Sequence, residues 1–144
     1  MRPEGDQGLR FISERLLRSV LPQMRDAYGF ADVAMTSSLL GAIATEYSRA
    51  AETRVRDIED MKSIMREGTD VSNVELAAAC ASLAETEPES LMIGELDRVH
   101  DALSEQLIAL HAFVESSAQF TELNLRIWEY LERHAERNTF DANF

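Results

Sequence analysis

Cysteine is nearly absent from this chain. With Cys80 alone, neither an intrachain disulfide nor a cysteine-cluster zinc site can be built, and a reducing compartment is the expected setting. Only three prolines and six glycines interrupt the sequence. Alanine, leucine, glutamate and arginine dominate instead, and these lose little rotamer freedom in a helix. No run approaches the roughly 18 consecutive apolar residues of a membrane span. The opening stretch MRPEGDQG is polar and lacks the apolar segment of a secretion signal. Membrane insertion is therefore not expected, and the cytoplasm is the default location. Positive charge is also scarce: 14 Lys and Arg face 26 Asp and Glu, a formal net charge of −12. That field repels phosphates and anionic membrane surfaces. Arg10, Arg15, Arg18 and Arg25 do bias the first helix towards positive charge, but no aromatic residues alternate with them as stacking platforms would. Nucleic acid binding is not expected.

What is present reads as one soluble globular domain. Apolar residues make up 45% and charged residues 28%, and 144 residues suit a single helical domain spanning 1–144. Residues 1–8 are expected to be a disordered lead-in and residues 138–144 to fray. Leu9, Ile12, Leu16, Val20 and Met24 recur at helical spacing, and Pro22 within this stripe predicts a kink or restart near Leu21. Gly29 is expected to end that helix and Asp32 to cap a second one running to Gly68, about 50 Å long at 1.5 Å per residue. Its apolar seam is Val33, Leu40, Ile43, Tyr47, Ala51, Ile58, Met61 and Met65. Within it, the run from Ala34 to Ala44 is apolar or small around most of its circumference. It should be covered on several sides, by the third helix or by a second copy, with Gly41 marking a close approach.

Ser72 and Glu75 have capping-box spacing ahead of a short third helix, 73–84. Thr86, Glu87, Pro88 and Glu89 form a second such start. A final tract follows to about Ala135, apolar at Met92, Leu96, Val99, Leu103, Leu110, Phe113, Val114, Phe120, Ile127, Trp128 and Leu131. Ser116 and Ser117 are its expected point of weakness. The architecture implied is all-α: an elongated up-and-down bundle of four or five helices, led by two long antiparallel helices near 32–67 and 88–136.

Chemistry has little to stand on. There is no Gly-x-Ser-x-Gly elbow and no glycine-rich phosphate loop, and Cys80 sits among alanines with no cation near it in sequence. His100 and His111 share a helical azimuth but stand roughly 16 Å apart along the axis, so they cannot hold one ion. Asp97 with His100, and His111 with Glu115, read as solvated pairs on the charged face. No Glu-x-x-His occurs, which disfavours a di-iron bundle. No metal site, no cofactor and no catalytic residue is expected. The one irregularity is Arg54, which shares the seam azimuth of Tyr47 and Met61 and must meet a carboxylate or amide, with Asn124, Gln106 and Asp57 as candidates. The expectation is a non-catalytic homodimer that binds another protein as an adaptor, chaperone or accessory subunit. The alternative is a small-molecule binder or enzyme with a site between helices near Glu46, Tyr47 and Arg54.

Overall fold

The computed structural model describes residues 4–139, which form helices without strands and group into two compact units, one ending at Ala50 and the other Ala51–Thr139. The helices are α1 (Gly5–Arg15), α2 (Ala27–Glu67), α3 (Val74–Ala84), α4 (Ile93–Glu115) and α5 (Thr121–Arg137). Helix α2 begins in the first unit and ends in the second.

The first unit is an antiparallel hairpin of α1 and the opening half of α2. Arg10 bonds Thr45, and Ser13 and Ser37 exchange hydroxyl and backbone bonds at 2.8–3.0 Å, so rising numbers in α1 meet falling numbers in α2. The segment expected to be disordered is already helical from Gly5, where Gly8 N–H bonds the Glu4 carbonyl and Asp6 lies favourably in the positive first turn. Residues 1–3 lie outside the described residues. Past Arg15 the helix loosens into a π turn, Leu16–Val20, and a 3-10 turn, Leu21–Gln23, as Pro22 predicts. Helix α2 starts before Gly29, not after it. Asp26, not Asp32, is the cap, and its Oδ1 accepts from Gly29 N at 2.6 Å. A Cβ at Gly29 would stand 2.8 Å from that carboxylate, so glycine here makes room for the cap.

The second unit is an up-down-up-down arrangement of the rest of α2, then α3, α4 and α5. Asn73, one residue beyond the expected cap, accepts from Leu76 N. The second capping signal goes unused: α4 starts at Ile93, and Glu89 N–H bonds the Glu95 carboxylate instead. The final tract breaks at its two serines. Ser116 Oγ donates to the Phe113 carbonyl at 2.7 Å, competing with the helical ladder, and a 3-10 turn at 118–120 precedes α5. The break sends α5 back along α4, with Phe113 against Phe120 and His111 bonded to Asn124. As a result α4 runs parallel to α2, at a steady offset of 43 residues (Arg54 with Asp97, Met61 with Ser104). Of the two halves of the final tract, it is α5 that runs antiparallel to α2, through Asp60 with Arg133 and Glu67 with Arg126. The expected pair of long antiparallel helices is thus three elements.

The core lies in this unit. Met61, Met65, Leu96, Val99, Leu103, Leu110, Val114 and Ile127 are essentially inaccessible. The sequence pattern omits Leu107 and Tyr130, which are buried here, and includes Trp128 and Met92, which are exposed. Gly68, just past α2, is where close approach does require glycine: a Cβ would meet Leu110 at 2.9 Å and the Cys80 sulfur at 3.0 Å.

Candidate functional site

Two features go beyond what the fold requires: an uncovered apolar face in the first unit and a buried polar cluster in the second.

The hairpin has almost no core of its own. Of its described residues only Ser37 and Ala44 are buried, both on the α2 face turned to α1. The opposite face of α2 carries Tyr28, Met35, Leu39 and Ile43, at intervals of 7, 4 and 4 residues. These side chains are 51–91% exposed, and Phe11, Ile12 and Leu17 are exposed on the α1 side. Ile43 and Tyr47, expected in a buried seam, are exposed instead, and Ala34–Ala44 is covered on one side only. Gly41 is not a site of close approach, since a Cβ there would meet only the Ser13 hydroxyl at an ordinary 3.8 Å. Residues 1–50 also carry no net charge. Residues 1–50 contain six cations (Arg2, Arg10, Arg15, Arg18, Arg25, Arg49) and six anions (Glu4, Asp6, Glu14, Asp26, Asp32, Glu46). The remaining 8 cations and 20 anions leave the whole net charge of −12 on residues 51–144. By length and composition α2 contains a window apolar enough to cross a membrane, and only 11% of that window is buried.

The polar cluster gathers around Asp57 of α2, whose side chain is fully buried. Arg137 Nη1 donates to its Oδ1 at 2.6 Å, and His134 Nδ1 donates to its Oδ2 at 2.8 Å. Asp60, one turn on, takes Arg137 Nη2 at 2.5 Å and Arg133 at 3.4 Å. Burial works against the charge on Arg137, but its bonds to Asp60 and Asp57 outweigh this and raise its pKa. His100 of α4 completes the group, with Nε2 4.0 Å from Asp57 Oδ2 and Nδ1 3.5 Å from Asp101 Oδ1. Both of its ring nitrogens are buried without a hydrogen-bond partner among the described residues. Tyr130 packs on His134, and burial, reinforced by the charges of Asp57 and Asp60, pushes its phenol pKa well up.

This corrects the sequence-based account of the histidines. His100 is not a solvated partner of Asp97; its side chain is 12% exposed and faces Asp57 and His134. His111 is 18% exposed and does lie 3.5 Å from Glu115, but it also donates to Asn124 and sets its ring edge-on to Trp128. His100 and His111 both lie on α4, three turns apart. The sequence-based reading did not place His134 beside His100, but the serine break returns it to that level, so that single ligand atoms of Asp57, His100 and His134 lie within 4.8 Å of one another. The usable signal was the 34-residue separation with a helix break near its midpoint.

Of the residues read as a pocket lining, Glu46 and Tyr47 belong to the first unit and Arg54 to the second. Glu46 pairs with Arg49, Tyr47 is 66% exposed with its ring over Gly5, and Arg54 pairs with Asp97 at 2.7 Å. Arg54 does find a carboxylate on another helix, but none of the named candidates: Asn124 serves His111, Gln106 contacts Cys80, and Asp57 serves His134 and Arg137. Cys80 is fully buried, and burial raises its thiol pKa, with a smaller opposing effect from the Gln106 bond; this is a packing residue. A groove of about 380 Å³ beside Lys62 is closed at one side by the Lys62–Glu87 ion pair.

Compared with protein-family models, with curated proteins and with solved structures, the chain finds no match.

Proposed function

We propose that this protein is a non-catalytic helical association protein, a homodimer formed through its N-terminal hairpin, whose acidic second unit engages a protein partner as an adaptor, chaperone or accessory subunit would. The observation that carries the reading is the apolar stripe Tyr28, Met35, Leu39 and Ile43, on the face of α2 that α1 leaves open. Two helices bury too little surface to be stable alone, and the ordinary solution is a second pair of helices laid on the open face. A second copy is favoured over an unrelated chain by charge. Two units of −12 repel, whereas residues 1–50 sum to zero, so copies meet there without electrostatic cost. Each Met, Leu or Ile so covered, already about half buried, contributes about 1 kcal/mol. A free cysteine suits the reducing cytoplasm.

The test is the mass of the full chain in solution, by light scattering or sedimentation, for wild type and for Met35→Glu/Leu39→Glu. Both positions are more than half exposed, so the double variant should keep its helical circular dichroism. Wild type should be a dimer and the variant a monomer. A monomeric wild type, or a dimer indifferent to the two glutamates, would refute the reading. A wild type that is monomeric in buffer yet sediments with neutral lipid vesicles would assign the face to lipid, the role that the apolar window of α2 favours as a second reading.

A further inference from the structure

We propose that Asp57, His100 and His134 form a binding site for one divalent transition-metal ion of the zinc type, with Asp57 Oδ2, His134 Nδ1 and His100 Nε2 as ligands. Two imidazoles and one carboxylate are a donor set that suits such ions, and three protein ligands leave a coordination position for water.

The first support is placement. The ligands come from α2, α4 and α5, which pack together around the core of the second unit; Asp57 and His100 lie inside their helices and His134 in the last turn of α5. Their donor atoms fall within 4.8 Å of one another, with Asp57 Oδ2 at 2.8 Å from His134 Nδ1 and 4.0 Å from His100 Nε2. Bonds of about 2.0–2.2 Å to a central ion require donors roughly 3–3.5 Å apart, so the widest separation, at most 4.8 Å, must close by up to about 1–2 Å, within reach of imidazole rotation.

The second support is His100 itself. A side chain 12% exposed, with both nitrogens buried and unpartnered, is costly for a neutral or a charged ring alike. An ion on Nε2 would satisfy one nitrogen, and Asp101, 3.5 Å from Nδ1, stands where a carboxylate orients a metal-bound histidine through its other nitrogen. Arg137 orients the ligand carboxylate in the same way, because it takes Oδ1 and leaves Oδ2 to the site. The His134 side chain is one-third exposed and gives the site an entry from solvent.

In the experiment, chelator-treated full-length protein is titrated with zinc against a chromophoric chelator and, separately, with cobalt(II), whose visible absorption reports coordination. One equivalent per chain should bind, with cobalt bands in the wild type. His100→Ala and His134→Ala should each abolish stoichiometric binding. Asp101→Asn, a positioning residue, should weaken zinc about 10- to 100-fold. His111→Ala should change nothing, since His111 belongs to a different contact. If the alanine variants fail to fold, His100→Gln, of similar size and polarity, takes their place. Absence of a zinc equivalent and of cobalt bands in the folded wild type overturns the proposal. So does an equivalent that survives in His100→Ala, or in His100→Gln where the alanine variants fail, because it would sit elsewhere on the acidic surface.

Discussion

Replacing Asp57 by alanine tests how far the second unit depends on its buried carboxylate. Asp57 is fully buried and accepts one charge-assisted bond from Arg137 and one from His134. Such bonds contribute about 1.5–3 kcal/mol each, so the gross loss is about 3–6 kcal/mol. Two effects reduce it. Burying the carboxylate is itself costly, and that cost disappears with the side chain. Arg137 also keeps Asp60, so its guanidinium is not orphaned. The net destabilisation should be about 3 kcal/mol, at the low end for breaking a buried pair. Asp60→Ala makes the comparison sharp. Asp60 has two arginine partners as well, but it is 28% exposed and Arg133 is 45% exposed, so its removal should cost about 1 kcal/mol. Urea unfolding of both variants followed by circular dichroism, with chelator present so that no metal contributes, gives the two values. An Asp57→Ala cost under about 1 kcal/mol, or an Asp60→Ala cost greater than that of Asp57→Ala, would refute the reasoning, because burial would then not decide the ranking.

Three further outcomes are expected. Gly68→Ala should destabilise by about 1–3 kcal/mol, because its Cβ would press on Leu110 and Cys80, and Cys80→Ala in the same chain should recover part of that loss in a double-mutant cycle. Arg54→Ala should cost only about 1 kcal/mol, since Arg54 and Asp97 are 32% and 41% exposed; a loss near 3 kcal/mol in a thermal melt would mean a sealed pair. Glu95 has its pKa lowered to about 2, first by the Arg98 hydrogen bond and then by the Glu89 backbone N–H. A carboxylate depressed in the folded state stabilises fully above its unfolded pKa of about 4.3 and loses that contribution as pH falls towards 2. Glu95→Gln should therefore narrow its stability gap to wild type in acid melts over that range, and a gap that widens there would contradict the assignment.

The sequence made helix type and the break at Ser116–Ser117 legible, because periodicity and competing serine hydroxyls are local. Helix starts were read less well: Asn73 caps α3 in place of its neighbour Ser72, Asp26 caps α2 six residues before Asp32, and α4 starts after Met92 with no side-chain cap, since packing rather than a capping residue alone decides where a helix begins. Helix direction was not legible at all. Whether α4 runs with or against α2 depends on how α3 returns the chain, and both arrangements bury the same apolar stripes. The same blindness hid the Asp57 cluster. His100 and Asp97 looked like partners on one helix, and only the return of α5 shows that Asp97 belongs to Arg54 and His100 to the buried group. The open face of α2 was misread for a related reason: periodicity shows that a stripe is apolar but not that anything in the same chain covers it.

Because the contacts between α2 and α4 keep an offset of 43 residues, changes in chain length fall unevenly on this protein. The connection at 85–92 is non-helical and sets no register, so residues added there lengthen a loop and leave the helices facing as before. One residue added within α2 between Arg54 and Met61 turns everything beyond it by about 100°. Arg54 would then face its partner while Met61 turned away from Ser104, and the insertion would pull the buried polar group and the apolar core towards two different alignments of the same helix.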